Sequence, residues 1–242
     1  MSPVRILIIN PNSNTSMTDG LRTPIEDLAY NNTTYTYHTA PSPSPASIND
    51  LSTASQSSTI TLPTILPLIP THDAFLVACY SPHPLVHALK AHTRKPVLGI
   101  FEASVSTAIS LLGNGERFGI VSTGEVWREI LSTALREEVL GPERARAVFA
   151  GVVTLGVSAG ELHEDGEEGE VKRKVQAATG RLIADDGGGE GRVSVVVLGC
   201  AGMAGMEEWV REKVKKRGVD VRVVDGVKAG VGILQGLVRG NF

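Results

Sequence analysis

The chain is poor in aromatic residues and nearly devoid of sulfur. Among 242 residues there are two Trp, four Tyr, five Phe and two Cys. Two cysteines cannot build a disulfide scaffold, so stability has to come from aliphatic burial, and in the cytoplasm both are expected to stay thiols. No run of apolar residues reaches membrane-spanning length, and the apolar segment within "MSPVRILIINPNSN" is too short and too early for a signal sequence. A cytoplasmic protein with no membrane partner is therefore expected. Charge of one sign is also lacking: 23 Lys and Arg against 26 Asp and Glu leave a formal net charge of −3. Without a basic stripe, and with few aromatics to stack on bases, nothing points to nucleic acid.

What is abundant is short runs of Val, Ile and Leu. "VRILII", "AFLVA", "PVLGI", "FGIV", "AVFAGVV", "VSVVVL" and "VRVV" lack polar alternation, as strands buried on both faces of a parallel sheet do. Between them lie stretches with helical character, including "PLVHALKAHT", "EVWREILSTALREEVLG" and "GVKAGVGILQGLVRG". Strand and helix in alternation predict an α/β fold with mainly parallel sheets flanked by helices. In such sheets ligands collect beyond the carboxyl ends of the strands.

Three biased segments interrupt this pattern and read as solvated loops. They are the Pro/Ser stretch 39–48, the acidic stretch 160–170 with six carboxylates, and the Gly-rich stretch 185–191. Either of the first two has the length of a lid. "GNGERFG" at 113–119 precedes a strand instead of following one, so it lacks the context of a phosphate-binding loop.

The order of strand-end motifs repeats. One half runs through "NPNS" (10–13), "CYS" (79–81) and "FEAS" (101–104), the other through "STGE" (122–125), "CAG" (200–202) and "DGV" (225–227). Cys79 to Glu102 spans 23 residues, and Cys200 to Asp225 spans 25. This echo predicts two similar domains, 1–100 with 216–242 and 101–215, with the active site in the cleft between them. Each half then offers one thiol from an equivalent strand end.

Two thiols flanking one ligand suit inversion at carbon. A thiolate removes a proton beside a carbonyl while a thiol opposite returns one to the other face. Each cysteine precedes a predicted helix, with Ser81 and Pro82 read as cap and first turn, and with Gly202 opening the turn before 203–218. Backbone N–H groups there favour the thiolate and the enolate oxygen. Gly199 and Gly202 are expected to let the backbone approach a ligand. His83, His87 and His92 have no acidic or cysteine partner in the same motif, so no metal site is expected.

"INPNSN", "LVACYSP", "RFGIVSTG" and "VLGCAGM", in this order across nearly the whole chain, resemble the Asp/Glu/hydantoin racemase superfamily, in particular its hydantoin racemase branch. The resemblance implies a racemase without a cofactor, acting on a small-molecule substrate, with two α/β domains and Cys79 and Cys200 as the acid/base pair. It places Asn12, Ser13, Tyr80, Ser122, Thr123, Ala201 and Gly202 around the substrate. The chain departs from the branch after the first cysteine, where "CYSPHP" stands in place of a Gly-Asp-Pro-Gly-like stretch, so Tyr80 and His83 bear on which substrate is taken. Glu102 is read equally as a substrate anchor and as a loop support. Two alternatives remain open: a cis-trans isomerase resembling maleate isomerases, with Cys79 as nucleophile, and a non-catalytic small-ligand binder. The state of assembly is open too, a homo-oligomer included.

Overall fold

The computed structural model describes residues 3–163, 168–184 and 191–242. It contains two four-stranded sheets, each wholly parallel. The first is built from β1 (Val4–Asn10), β2 (Thr33–Thr39), β3 (Ala74–Val77) and β4 (Val97–Gly99), in the order β2-β1-β3-β4. The second is built from β5 (Glu116–Ser122), β6 (Phe149–Thr154), β7 (Arg192–Gly199) and β8 (Arg222–Asp225), in the order β6-β5-β7-β8. The two orders are the same once the strands of each sheet are counted from one. The repeat seen in the strand-end motifs is therefore a repeat of topology.

Among the described residues ten α-helices connect or flank these strands. They are α1 (Thr15–Asp19), α2 (Arg22–Glu26), α3 (Leu51–Ile65), α4 (Pro84–Lys90), α5 (Ile100–Leu111), α6 (Val126–Ala134), α7 (Pro142–Val148), α8 (Glu168–Ala184), α9 (Glu207–Lys215) and α10 (Gly226–Arg239). None of the described helices is long and apolar enough to cross a membrane. The chain divides into two compact units, Met1–Ala103 with Val227–Phe242, and Ser104–Gly226. Residues 216–225, read from sequence as part of the first domain, include β8, which pairs in parallel with β7 and so belongs to the second sheet.

In the first unit Leu7, Ile9, Phe75 and Val77 pack with Ile65 of α3 and with Leu85, Val86 and Leu89 of α4. α10 lies on β3 so closely that a Cβ on Gly230 would stand 2.5 Å from Leu76 Cδ1, so a larger residue there requires the leucine side chain to shift. In the second unit Val121, Val196 and Leu198 pack with Val175, Ala178 and Leu182 of α8 and with Val210 and Val214 of α9. The amino-terminal ends of its strands are tied by Glu116, which bridges Arg192 of β7 at 3.0 Å and Arg222 of β8.

Three elements escaped the sequence reading: α7, a short helix over "PERARAV", and β2 and α3, the latter two for the same reason. β2, "TTYTYHT", is an edge strand with alternating exposure, so it lacks the unbroken apolar run of its neighbours. Helix α3 is rich in Ser and Thr. It is started by a capping box between Asp50 and Thr53, and it buries Ser57 and Thr61 on its core face. The Pro/Ser stretch 39–48 is also not a plain solvated loop: Ala40, Ser44 and Ile48 are buried. The middle of the acidic stretch, 164–167, and residues 185–190 of the Gly-rich stretch lie outside the described residues.

Helix α4 begins at Pro84, with His83 rather than Ser81 as its cap. His83 Nδ1 accepts the Leu85 N–H at 3.2 Å. The ring is almost wholly buried, and burial pulls its pKa from the ordinary 6.5 down to about 4. The folded ring thus resists a proton that the unfolded ring takes up near pH 6.5. Stability is complete above that pH and is lost as pH falls towards 4, by about 2 kcal/mol between pH 7 and pH 5. His83→Asn, which keeps a capping acceptor without a titrating ring, is expected to flatten this slope in urea unfolding at the two pH values.

Gly199 serves the sheet, not a ligand. A Cβ there would meet Ile120 Cγ2 at 2.6 Å and the Val121 carbonyl oxygen at 2.9 Å, and strand backbone has no room to yield. Gly199→Ala is expected to cost about 1–3 kcal/mol. The measurement is the urea midpoint, which should fall with the slope unchanged.

Candidate functional site

In each sheet the strand order reverses direction between two neighbours, β1 and β3 in the first and β5 and β7 in the second. Beyond the carboxyl ends of such a pair the connecting chains depart to opposite sides and leave a crevice, the usual ligand site of an open parallel sheet. Cys79 follows the end of β3, and Cys200 follows the end of β7. Each thiol thus sits at the switch point of its own sheet. Both are partly exposed, and neither is in a disulfide.

In the first unit the crevice is bordered by the loop after β1. Asn10 is its organiser: the side chain is buried, and Nδ2 donates to Asn12 Oδ1 at 3.0 Å, Asn14 O at 3.0 Å and Thr18 Oγ1 at 2.9 Å. Asn12 Oδ1 also accepts the Asn14 N–H at 2.9 Å, while among the described residues the partner of its own Nδ2 is the Met17 thioether at 3.4 Å, a weak acceptor. Donor capacity therefore remains on the Asn12 amide. Ser13 is spent differently, with its hydroxyl on Ser44 O at 2.9 Å and its N–H on Pro45 O at 3.0 Å. Ser44 Oγ in turn donates to Pro11 O at 3.2 Å, and so does Ser57 Oγ. The Pro/Ser stretch is thereby clamped to the "NPNS" loop and sets its shape.

After β3 the chain makes a tight turn. Ser81 N–H donates to Cys79 O at 3.1 Å, and His83 N–H donates to Ser81 O at 2.8 Å. Cys79 Sγ and Ser81 Oγ lie 3.4 Å apart. The Tyr80 ring is buried edge-on against Phe101, with centroids 5.4 Å apart. The Glu102 carboxylate folds over Gly99, where a Cβ would lie 2.2 Å from Oε2.

In the second unit Ser122 is fully buried, and its hydroxyl donates to Gly199 O at 2.8 Å. This bond ties the end of β5 to the residue before Cys200. Thr123 is buried beside it, and its carbonyl accepts the N–H groups of Leu155 at 3.0 Å and Gly156 at 3.1 Å. Neither side chain caps α6, which begins behind Glu125. Cys200 has extended backbone and opens into a short 3-10 turn, Ala201–Met203, so α9 begins only at Glu207, later than the sequence suggests. Burial raises the Cys200 thiol to about 11, against the pull of the Gly202 and Met203 N–H groups. Ala201 is nearly buried and Gly202 is half-buried in that turn. The buried Asp225, at the end of β8, accepts the Gly205 N–H at 3.0 Å and fixes where the Cys200 loop ends.

The structure thus brings Asn12, Ser13, Tyr80 and Cys79 to one strand-end crevice, and Ser122, Thr123, Cys200, Ala201 and Gly202 to the equivalent place in the other unit. Sequence reading passed over Ser44 and used Asp225 only as a marker of the strand-end repeat; both act through loop backbone. It read Ser81 as a helix cap, although its place two residues after a cysteine was the available signal.

Residues 6–234 match the family model described as Asp/Glu/Hydantoin racemase. An uncharacterised protein of Schizosaccharomyces pombe, C1F7.10, is 34% identical over 239 residues, covering 99% of this chain and 94% of that one. A hydantoin racemase of a Pseudomonas species is 28% identical, covering 97% of this chain and 86% of that one. The solved structure of allantoin racemase from Pseudomonas fluorescens superposes with a TM-score of 0.84 at 26% identity, covering 99% of this chain and 92% of that one. With the same strand order in both sheets and a match over nearly its full length, the chain belongs to the Asp/Glu/hydantoin racemase family and is an isomerase.

Proposed function

We propose that the protein racemises a small cyclic amide, a 5-substituted hydantoin such as allantoin, with Cys79 and Cys200 as a two-base acid/base pair and without a cofactor. The observation that carries this reading is the equivalent placement of the two thiols, each just past the third strand of a sheet with the same order. The hydantoin and allantoin racemases among its relatives support the substrate class.

The chemistry follows from the ring. The C5 hydrogen of a hydantoin lies beside a carbonyl, so removing it as a proton sends the C–H electron pair onto that oxygen as an enolate. One cysteine, as thiolate, takes this proton and becomes a thiol. The other, as thiol, gives its proton to the opposite face of C5 and becomes a thiolate. Atoms and charge balance, and the configuration is inverted. The two sulfurs have to reach opposite faces of one carbon. The Gly202 N–H, beside the Cys200 sulfur, is a donor suited to the enolate oxygen. The Asn12 amide, with donor capacity left over, suits a ring carbonyl. Ser13, Ser122 and Thr123 contribute mainly by shaping the loops, because the serine hydroxyls are already committed to backbone carbonyls.

Polarimetry on enantiopure hydantoins and allantoin tests the assignment: optical rotation should decay to zero, and in heavy water one deuteron should enter C5. Cys79→Ser and Cys200→Ser are each expected to lose about 10²–10⁴-fold in turnover with the fold intact. Unchanged turnover in both variants, or loss of rotation without deuterium uptake, would overturn the proposal.

A further inference from the structure

We infer that the Ser81 hydroxyl holds Cys79 as its thiolate, making Cys79 the resting base and Cys200 the resting acid. This rests on the reading of the two cysteines as an acid/base pair and adds a direction to it.

Ser81 is fully buried, so water does not reach its hydroxyl. Among the described residues the partner of that hydroxyl is Cys79 Sγ, at 3.4 Å. Backbone bonds on both sides, Ser81 N–H to Cys79 O and His83 N–H to Ser81 O, keep the side chain against the sulfur. Two proton arrangements compete. If the thiol donates to Ser81 Oγ, the hydroxyl hydrogen is left buried with no acceptor, which forfeits its full solvation. If the hydroxyl donates to sulfur, every group is satisfied, and the bond is roughly twice as strong when the sulfur is an anion. The buried serine is thus a fixed donor that favours the charged form of Cys79.

The second half lacks this device. The residue two positions after Cys200 is Gly202, which has no side chain to offer. The buried serine on the neighbouring strand end, Ser122, gives its hydroxyl to Gly199 O instead. Burial then dominates at Cys200 and keeps its proton on, as the rise to about 11 reflects. Other titratable groups on the segments around Cys79 are Tyr80 in the same turn, His83 at the start of α4, the exposed His87 one turn on, Glu102 in the first turn of α5 and Lys228 in the first turn of α10. Burial keeps His83 neutral, and neither Tyr80 nor Glu102 brings positive charge. Lys228 is the cation whose influence has to be separated from that of the hydroxyl.

The test is pulse alkylation of the full-length protein with iodoacetamide from about pH 5 to about pH 10, with labelling at each cysteine read by peptide mass spectrometry. In the parent protein Cys79 should label with a midpoint at least about one pH unit below that of Cys200. Ser81→Ala should raise the Cys79 midpoint by about one unit, a tenfold loss of thiolate at neutral pH, and leave Cys200 where it was. Ser81→Gly, which copies the second half, serves in its place if the alanine variant does not fold. Ser81→Thr should restore the low midpoint, and Lys228→Met should leave the order of the two cysteines intact. An unshifted Cys79 midpoint in folded Ser81→Ala or Ser81→Gly, or Cys200 labelling first, would overturn the inference. Labelling needs no substrate, so a protein that labels as expected but never racemises would refute the proposed reaction and not the role of Ser81.

Discussion

Parallel pairing of β1 with β3, and of β5 with β7, is the constraint from which the candidate chemistry follows. A parallel sheet ends its strands together, and at a switch point the two outgoing chains part, leaving backbone groups beyond the strand ends without strand partners. Such groups must find new partners or a ligand. In the first unit the loop after β1 satisfies them through Asn10, and in the second Ser122 binds the Gly199 carbonyl. A cysteine placed one or two residues past the strand inherits this rigid setting.

The two halves use the same topology with different local chemistry. On one side Tyr80, Ser81 and His83 follow the thiol, and all three are buried. On the other, Ala201 and Gly202 lead into a 3-10 turn whose N–H groups approach the sulfur while burial holds its pKa high. A reaction that is symmetric in outcome does not need symmetric groups, only a donor and an acceptor of protons that exchange roles.

Much of the sheet architecture was legible in the chain. Runs such as "VRILII" and "VSVVVL" announce strands buried on both faces because no polar residue alternates within them, and both proved to be central strands. β2 and α3 were not legible, since an edge strand and a Ser/Thr-rich helix carry little apolar periodicity. The domain bound drawn at 216 put β8 in the first domain although the strand-end repeat grouped "DGV" with the second half; β8 pairs with β7, and that pairing is what sequence order does not reveal. Of the candidate site, the cysteines stood out as the two sulfurs following two apolar runs. The duties of Ser13 and Ser122 did not, because the carbonyls they bind lie 31 and 77 residues away.

By itself the sequence determined the class of fold, the family and the pair of thiols, for each is written in local patterns: hydrophobic runs, glycines after strands and short motifs in order. Tertiary structure alone decided which polar groups are already spent and which remain available. A serine hydroxyl means one thing on a carbonyl across the sheet and another on a sulfur two residues back. The difference lies in hydrogen-bond partners and burial, which arise only when distant segments are packed against each other.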